Sequence, residues 1–206
     1  FDAIELDRDL ITLLLASFSV YPGFALHNAD ALTFDFNQLV INGQPLRIVG
    51  NLPYNISTPI IFKLLESAGS ILDMHFMLQR EVVERLAAQP GSKHWGRLGI
   101  MSQYQCHVSH LFDVPPEAFQ PPPKVQSAIV RLSPKSPGEV PRCDRKKLAS
   151  VVQLAFSQRR KTLRNNVKGV FDDQQLEALH IDPGCRAETL SLSAFVSLAN
   201  TLAESV

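Results

Sequence analysis

The chain has 206 residues, 45% of them apolar, with 20 Lys and Arg against 20 Asp and Glu. This length and apolar content suffice for a buried core in one or two domains, and the balanced charge argues against a generic polyanion binder. The longest apolar runs, such as Leu10 to Ala16 and Pro59 to Leu65, fall far short of the roughly 20 residues of a membrane span, and no basic-then-apolar leader is visible, so a soluble cytoplasmic protein without membrane contact is expected.

Taken in chain order, Ala3-Ile4-Glu5-Leu6 reads as a short strand, with Asp7 as N-cap of a helix patterned by Leu10, Leu13 and Leu14. A strand is expected around Ala25 to His27 and a buried one at Leu46 to Val49, followed by a helix to Glu66 with Ser57 as N-cap and Pro59 just inside. Met74 to Leu78 then reads as strand and Glu81 to Ala88 as helix. Strands alternating with helices predict a parallel, doubly wound α/β sheet. Gln105 to Asp113 and Val125 to Leu132 are joined by the proline-rich stretch Val114 to Lys124 without helical pattern, which predicts an antiparallel pair at a sheet edge.

Ser133 to Gly138 reads as a linker, and helical spacing returns at Leu148, Val151, Val152 and Ala155 and at Leu192, Phe195, Leu198, Ala199 and Leu202. The division expected is an α/β domain over 1–134, a linker over 135–140 and an all-helical domain over 141–206. Charge is unevenly spread: nine Lys or Arg lie between Arg142 and Lys168 against the single acid Asp144, whereas Glu5 to Asp35 is acidic.

Doubly wound sheets bind ligands at the carboxyl ends of their strands. Glu5 ends the first strand, where a carboxylate can accept from both ribose hydroxyls of a nucleoside; Asp30 follows the second, where it can accept from an adenine amine. Asn51-Leu52-Pro53-Tyr54 follows Leu46 to Val49. An Asn oxygen and a neighbouring carbonyl can accept both hydrogens of an exocyclic amine, localising its lone pair and aligning it with a methyl donor. Pro53 fixes its own backbone and restricts Leu52, and Tyr54 offers a face to an extruded base.

Arg159-Arg160-Lys161 with Arg164 and Lys168 reads as an RNA-binding surface, with Arg160, Arg164 and Lys168 spaced by four as a stripe along one helix; Arg97 and Lys124 extend it. A metal at Cys106-His107-x-x-His110 is disfavoured, because a strand puts His107 on the opposite face from the other two. Cys106, Cys143 and Cys185 are odd in number and lack a Cys-x-x-Cys pair, so reduced thiols and no metal are expected.

Asn51-Leu52-Pro53-Tyr54 followed by Asn55-Ile56-Ser57-Thr58-Pro59 resembles the adenine-N6 methyltransferase motif in its ribosomal RNA dimethylase form. Ile4-Glu5-Leu6-Asp7, Asp30-Ala31, Gln79-Arg80-Glu81-Val82, Gly96-Arg97-Leu98, Phe119-Gln120-Pro121-Pro122-Pro123-Lys124-Val125 and Phe156-Ser157-Gln158-Arg159-Arg160-Lys161-Thr162 follow in family order. The chain is thus similar, almost end to end, to the small-subunit ribosomal RNA methyltransferase A (KsgA, dimethyladenosine transferase) family. The resemblance implies a Rossmann-like fold and S-adenosylmethionine as cofactor, with Glu5 and Leu6 at its ribose, Asp30 and Ala31 at its adenine, and Asn51 between cofactor and target amine. It also implies Tyr54 and Phe119 as the two faces around a flipped adenine, and a monomer acting on small-subunit ribosomal RNA in a pre-30S particle.

Two other readings are weighed: a large-subunit (23S) adenine-N6 methyltransferase of the macrolide-resistance type, and a non-catalytic small-subunit assembly factor. The family's first strand and Gly-x-Gly loop have no counterpart here. An amino-terminally truncated form is therefore expected, with activity only in an extended chain.

Overall fold

The computed structural model describes residues 1–53 and 55–202. Strand β1 (Asp2–Glu5) leads into α1 (Arg8–Phe18), whose first turn is capped by the Asp7 carboxylate accepting from Asp9 N at 2.9 Å. Strand β2 (Ala25–Asn28) returns parallel to β1, Asp2 opposite Ala25 and Glu5 opposite Asn28. The apolar side chains of α1 are not buried, Leu13 remaining 63% exposed.

A second ladder holds β3 (Leu46–Asn51), β4 (Ile71–Gln79), β5 (Cys106–Val114) and β6 (Ser127–Pro134), in the order β3-β4-β6-β5. The β3–β4 pair is parallel, with α2 (Ser57–Glu66) as crossover, and both pairings of β6 are antiparallel. The expected α/β alternation and antiparallel edge pair are present, with the strands divided over two ladders. Both ladders pack on one core: Ile61, Leu64, Leu65, Phe76, Leu78, Val130 and Leu132 are fully or almost fully buried, and Ile4, Ala29, Ala31 and Leu32 lean on them.

Three local expectations need correction. Strand β3 is not buried throughout but alternates, with Leu46, Ile48 and Gly50 turned inward and Val49 71% exposed. It lies at an end of its ladder with one face uncovered, so an apolar run does not imply burial on both sides. Ser57 is the first residue of α2 rather than its cap; Ile56 occupies the cap and Ser57 is buried. Ser133 and Pro134 belong to β6, so the stretch read as a linker from Ser133 starts later, at Lys135.

After α3 (Arg80–Leu86) comes a helix the sequence pattern does not announce, α4 (Arg97–Gln105). Leu98, Gly99, Ile100, Met101, Ser102 and Tyr104 are all buried, so no polar stripe marks its period. The reason is its position between two cores: Leu98 packs with the sheet, whereas Ile100, Met101 and Tyr104 pack with α5 (Arg145–Ala155) and α8 (Leu192–Thr201). Tyr104 Oη also donates to the carbonyls of Pro141 and Cys143, each at 3.0 Å, and Trp95 Nε1 to Leu190 O at 2.8 Å. Helices α6 (Leu163–Val167) and α7 (Asp173–Ala178) complete the helical part. Among the described residues no helix is long and apolar enough to cross a membrane.

Candidate active site

The strand directions collect the predicted catalytic segments at one edge. Strands β3 and β4 are parallel, and Asn51 at the end of β3 sits opposite Met77, two residues before Gln79 ends β4. Because β6 runs antiparallel to β4 and β5 antiparallel to β6, Ser127 opens β6 and Val114 closes β5 at this same edge, with Ser127 opposite both Gln79 and Val114. The loop 115–126, which carries Phe119 and Lys124, therefore projects from the edge that bears Asn51. Phe119 is half-buried, its N–H donating to Pro116 O at 3.1 Å, and Lys124 is exposed.

The Asn51 side chain is exposed and has no hydrogen-bond partner among the described residues. Just behind it, a Cβ on Gly50 would lie 2.9 Å from Leu52 Cδ2, so a small residue lets the Leu52 side chain fold back over the strand end. Leu52 itself leans on the sheet core and its N–H reaches Met77 O at 3.4 Å. The Pro53 carbonyl accepts from Ile56 N at 3.1 Å, closing the turn into α2, while the Leu52 carbonyl has no partner among the described residues. Tyr54, expected at the target base, lies outside the described residues.

On the other ladder, Glu5 and Asp30 follow adjacent parallel strands. Glu5 Oε1 accepts from Leu6 N at 2.8 Å and Asp7 N at 2.9 Å, and Asp30 Oδ1 accepts from Leu32 N at 2.9 Å. In each case the second carboxylate oxygen has no protein donor among the described residues. Two half-satisfied acceptors at neighbouring strand ends suit hydroxyl and amine donors, and to that extent these residues fit the nucleoside half of S-adenosylmethionine. Leu6 is exposed and Ala31 half-buried against the core. Asn28, which carried no motif, joins the two strand ends, donating to the carbonyls of Glu5 at 3.1 Å and Leu6 at 3.4 Å.

The basic residues are not arranged as one stripe. Helix α6 spans only Leu163–Val167, Thr162 before it is extended, and Lys168 after it has left the helical conformation. Arg160, Arg164 and Lys168 thus do not share a helix face, which corrects the sequence expectation. The loop that carries Arg159, Arg160 and Lys161 is held instead by buried Asn166, whose Nδ2 donates to Ala155 O at 2.6 Å and Gln158 O at 3.2 Å. Burying the amide on two carbonyls ties the loop to the helix that follows it. Sequence reading passed over Asn166 because a lone Asn among basic residues carries no period.

Arg159 donates to Lys93 O and lines a cavity of about 400 Å³ with Arg85, Lys93, His94, Trp95 and Phe156. Arg97 lies elsewhere: it is stacked on Phe62, 5.7 Å from the ring centroid, and lines a cavity of about 770 Å³ with Arg145 and Lys146. Arg164 is paired with Asp173 at 3.2 Å, whereas Arg160, Lys161 and Lys168 are exposed without an ion-pair partner among the described residues. His107 and His110 turn to Glu139 and Asp113, each at 3.0 Å, and the described residues contain no group of three metal-ligating side chains.

The sequence profile of the family described as ribosomal RNA adenine dimethylase matches residues 1–204. The chain belongs to this family. It is 61% identical over 203 residues to ribosomal RNA small subunit methyltransferase A of Pseudomonas aeruginosa, covering 98% of this chain and 76% of that protein. It is 59% identical over 199 residues to the protein of the same name from Saccharophagus degradans, with 97% and 74% covered. Among solved structures it resembles a dimethyladenosine transferase from Plasmodium falciparum, with TM-score 0.80, 24% identity and coverage of 98% of this chain and 82% of that one. It also resembles the 23S rRNA methyltransferase ErmE, with TM-score 0.72, 23% identity and coverage of 98% and 81%. These two likenesses show the fold alone, that of a Rossmann-like methyltransferase. In this member of the dimethylase family, then, the Asn51 segment, Gln79-Arg80 and the Phe119 loop converge on the carboxyl edge of one ladder.

Proposed function

We propose that this chain is a 16S ribosomal RNA (adenine-N6,N6)-dimethyltransferase. It transfers methyl groups from S-adenosylmethionine to the exocyclic amines of two adjacent adenines near the 3' end of small-subunit RNA, acting as a monomer on a pre-30S particle. The observation that carries this reading is the 61% identity to a small-subunit methyltransferase across 98% of the chain. The unpartnered Asn51 amide at the shared strand edge supports it.

The cofactor, when bound, supplies an electrophilic methyl group. Glu5 and Asp30 offer one unengaged oxygen each to the ribose and the adenine amine of the nucleoside, Leu6 and Ala31 flanking them. The target adenine, turned out of its strand, lies against Phe119, with Tyr54 assigned to its other face. Its amine hydrogens are accepted by Asn51 Oδ1 and the Leu52 carbonyl, the latter steadied by Pro53. This draws lone-pair density onto nitrogen and holds it in line for attack without a strong base. After transfer one of the two amine hydrogens passes to solvent as a proton, and the monomethylated amine, which keeps the other, can be presented again. Arg159, Arg160, Lys161, Arg164 and Lys168 contact phosphates, with Lys124 on the base loop and Arg97 beside α2.

The test is transfer of labelled methyl groups to undermethylated small subunits, run with this chain and with an amino-terminally extended one. Asn51→Ala should lower the rate by about 100-fold or more while leaving RNA binding intact. Methylation by the variant at the normal rate would overturn the site assignment. Label entering large-subunit RNA instead would point to the macrolide-resistance reading.

A further inference from the structure

The segment Gln79-Arg80-Glu81-Val82 belongs to the motif set, yet the mechanism above leaves Arg80 without a task. Its side chain sits at the junction of three elements. The backbone N–H of Arg80 donates to Gln126 O and its Nη1 to Gln126 Oε1, both at 2.9 Å. Nη1 also lies 3.4 Å from Asp113 Oδ2, and Nε donates to Glu84 Oε1 at 3.0 Å. Asp113 is the penultimate residue of β5 and Gln126 the last residue before β6, so one guanidinium holds the two ends of the loop that carries Phe119. The outer carboxylate oxygens face histidines, Asp113 Oδ1 lying 3.0 Å from His110 Nε2 and Glu84 Oε2 3.6 Å from His94 Nε2.

Between these anchors the loop has little of its own to fix it. Its backbone bonds are Ala118 N to Pro115 O and Phe119 N to Pro116 O, each 3.1 Å, and no side-chain hydrogen bond links residues 115–125 to the rest among the described residues. The ladder pairs β6 directly with β4, but β5 reaches β4 only across β6. Arg80 bridges that gap at the carboxyl edge, three residues beyond Met77, the ladder neighbour of Asn51. A planar fork with five donors is suited to three acceptors at once in a way an ammonium is not.

We propose that Arg80 is a positioning residue, which fixes the Phe119 loop relative to Asn51 so that the target base meets the amine acceptors in register. The proposal rests on the function read above for Phe119 and Asn51. It concerns geometry, so truncation should cost turnover more than binding: misplacement by about 1 Å is enough for a loss on the order of 100-fold.

The experiment compares wild type with Arg80→Ala, Arg80→Lys and Asp113→Asn by amide hydrogen exchange and by methyl transfer. Arg80→Ala should speed exchange at Ala118 and Phe119, the two hydrogen-bonded amides of the loop, by about tenfold or more, with β4 and the helical part unchanged. Its kcat should fall about 10- to 100-fold, with KM for the methyl donor unaltered. Arg80→Lys and Asp113→Asn should fall between. Loop exchange equal to wild type in Arg80→Ala overturns the proposal, as does a kcat equal to wild type. Wild type that transfers no methyl group to adenine defeats the functional reading instead, and the exchange measurement still decides whether Arg80 holds the loop.

Discussion

Asn166 Nδ2 donates to the carbonyl of Ala155 at 2.6 Å, tying α6 back to the end of α5 across the turn that holds Arg159, Arg160 and Lys161. Replacement by Leu would leave the Ala155 carbonyl without a donor, whereas the Gln158 carbonyl would keep that of Lys161 N at 3.0 Å. A loss of about 1 to 3 kcal/mol is expected, read as a lower midpoint in urea. RNA affinity should fall with it although no cation is removed; unchanged affinity would mean that the loop is shaped by something else.

The cations of this surface should differ in their effect on RNA binding. Arg160 and Lys161 are exposed and have no ion-pair partner among the described residues, whereas Arg164 already faces Asp173 at 3.2 Å. Arg160→Ala and Lys161→Ala should each reduce the slope of log affinity against log salt by about 0.7 to 0.9. Arg164→Ala should reduce it less, because its charge is partly neutralised before RNA arrives. Titrations at four salt concentrations separate these outcomes, and equal slopes for all three variants would contradict the pairing argument.

Gly99 in α4 passes against the end of α3. A Cβ there would lie 2.6 Å from the Arg85 carbonyl oxygen, a backbone atom that cannot turn aside. Although Ala is the better helix former, Gly99→Ala should destabilise the protein by about 1 to 3 kcal/mol. Thermal unfolding checks the sign, and a rise in Tm would show that α3 and α4 separate at little cost.

Glu139, in the segment between the sheet and the helical part, has its pKa lowered from 4.5 to about 2. The first cause is the hydrogen bond from the Ser136 hydroxyl at 2.7 Å, followed by Ser136 N and His107, each at 3.0 Å. A depressed carboxylate stabilises the fold while ionised, so this contribution is complete above about 4.5 and disappears as pH falls toward 2. Glu139→Gln should therefore flatten the acid limb of the stability curve over that interval and leave the neutral-to-alkaline limb parallel to wild type. Unaltered curvature below pH 4.5 would show the bonds to be too weak to matter.

The sequence by itself determined the order of the strands and of most helices, and it located the segments proposed to carry the chemistry. Alternating apolar runs, the turn after Asn51 and the basic tract after Phe156 are local properties, and local patterns survive whatever surrounds them. Helix α4 was hidden because it is buried by two cores at once, which erases the polar stripe that reveals a helix. The supposed stripe of Arg160, Arg164 and Lys168 failed for the opposite reason: spacing of four was present, but Arg160 lies in the turn that Asn166 ties down and Lys168 has already left the helix, which leaves only Arg164 on it. The antiparallel β5–β6 pair was legible in the proline-rich connection, but tertiary structure alone decided that β6 pairs with β4, which puts the Phe119 loop at the edge with Asn51, and that Arg80 reaches Asp113 and Gln126. Strand direction and contacts between residues more than 30 positions apart depend on how separate segments share one core, and no window of sequence contains that information.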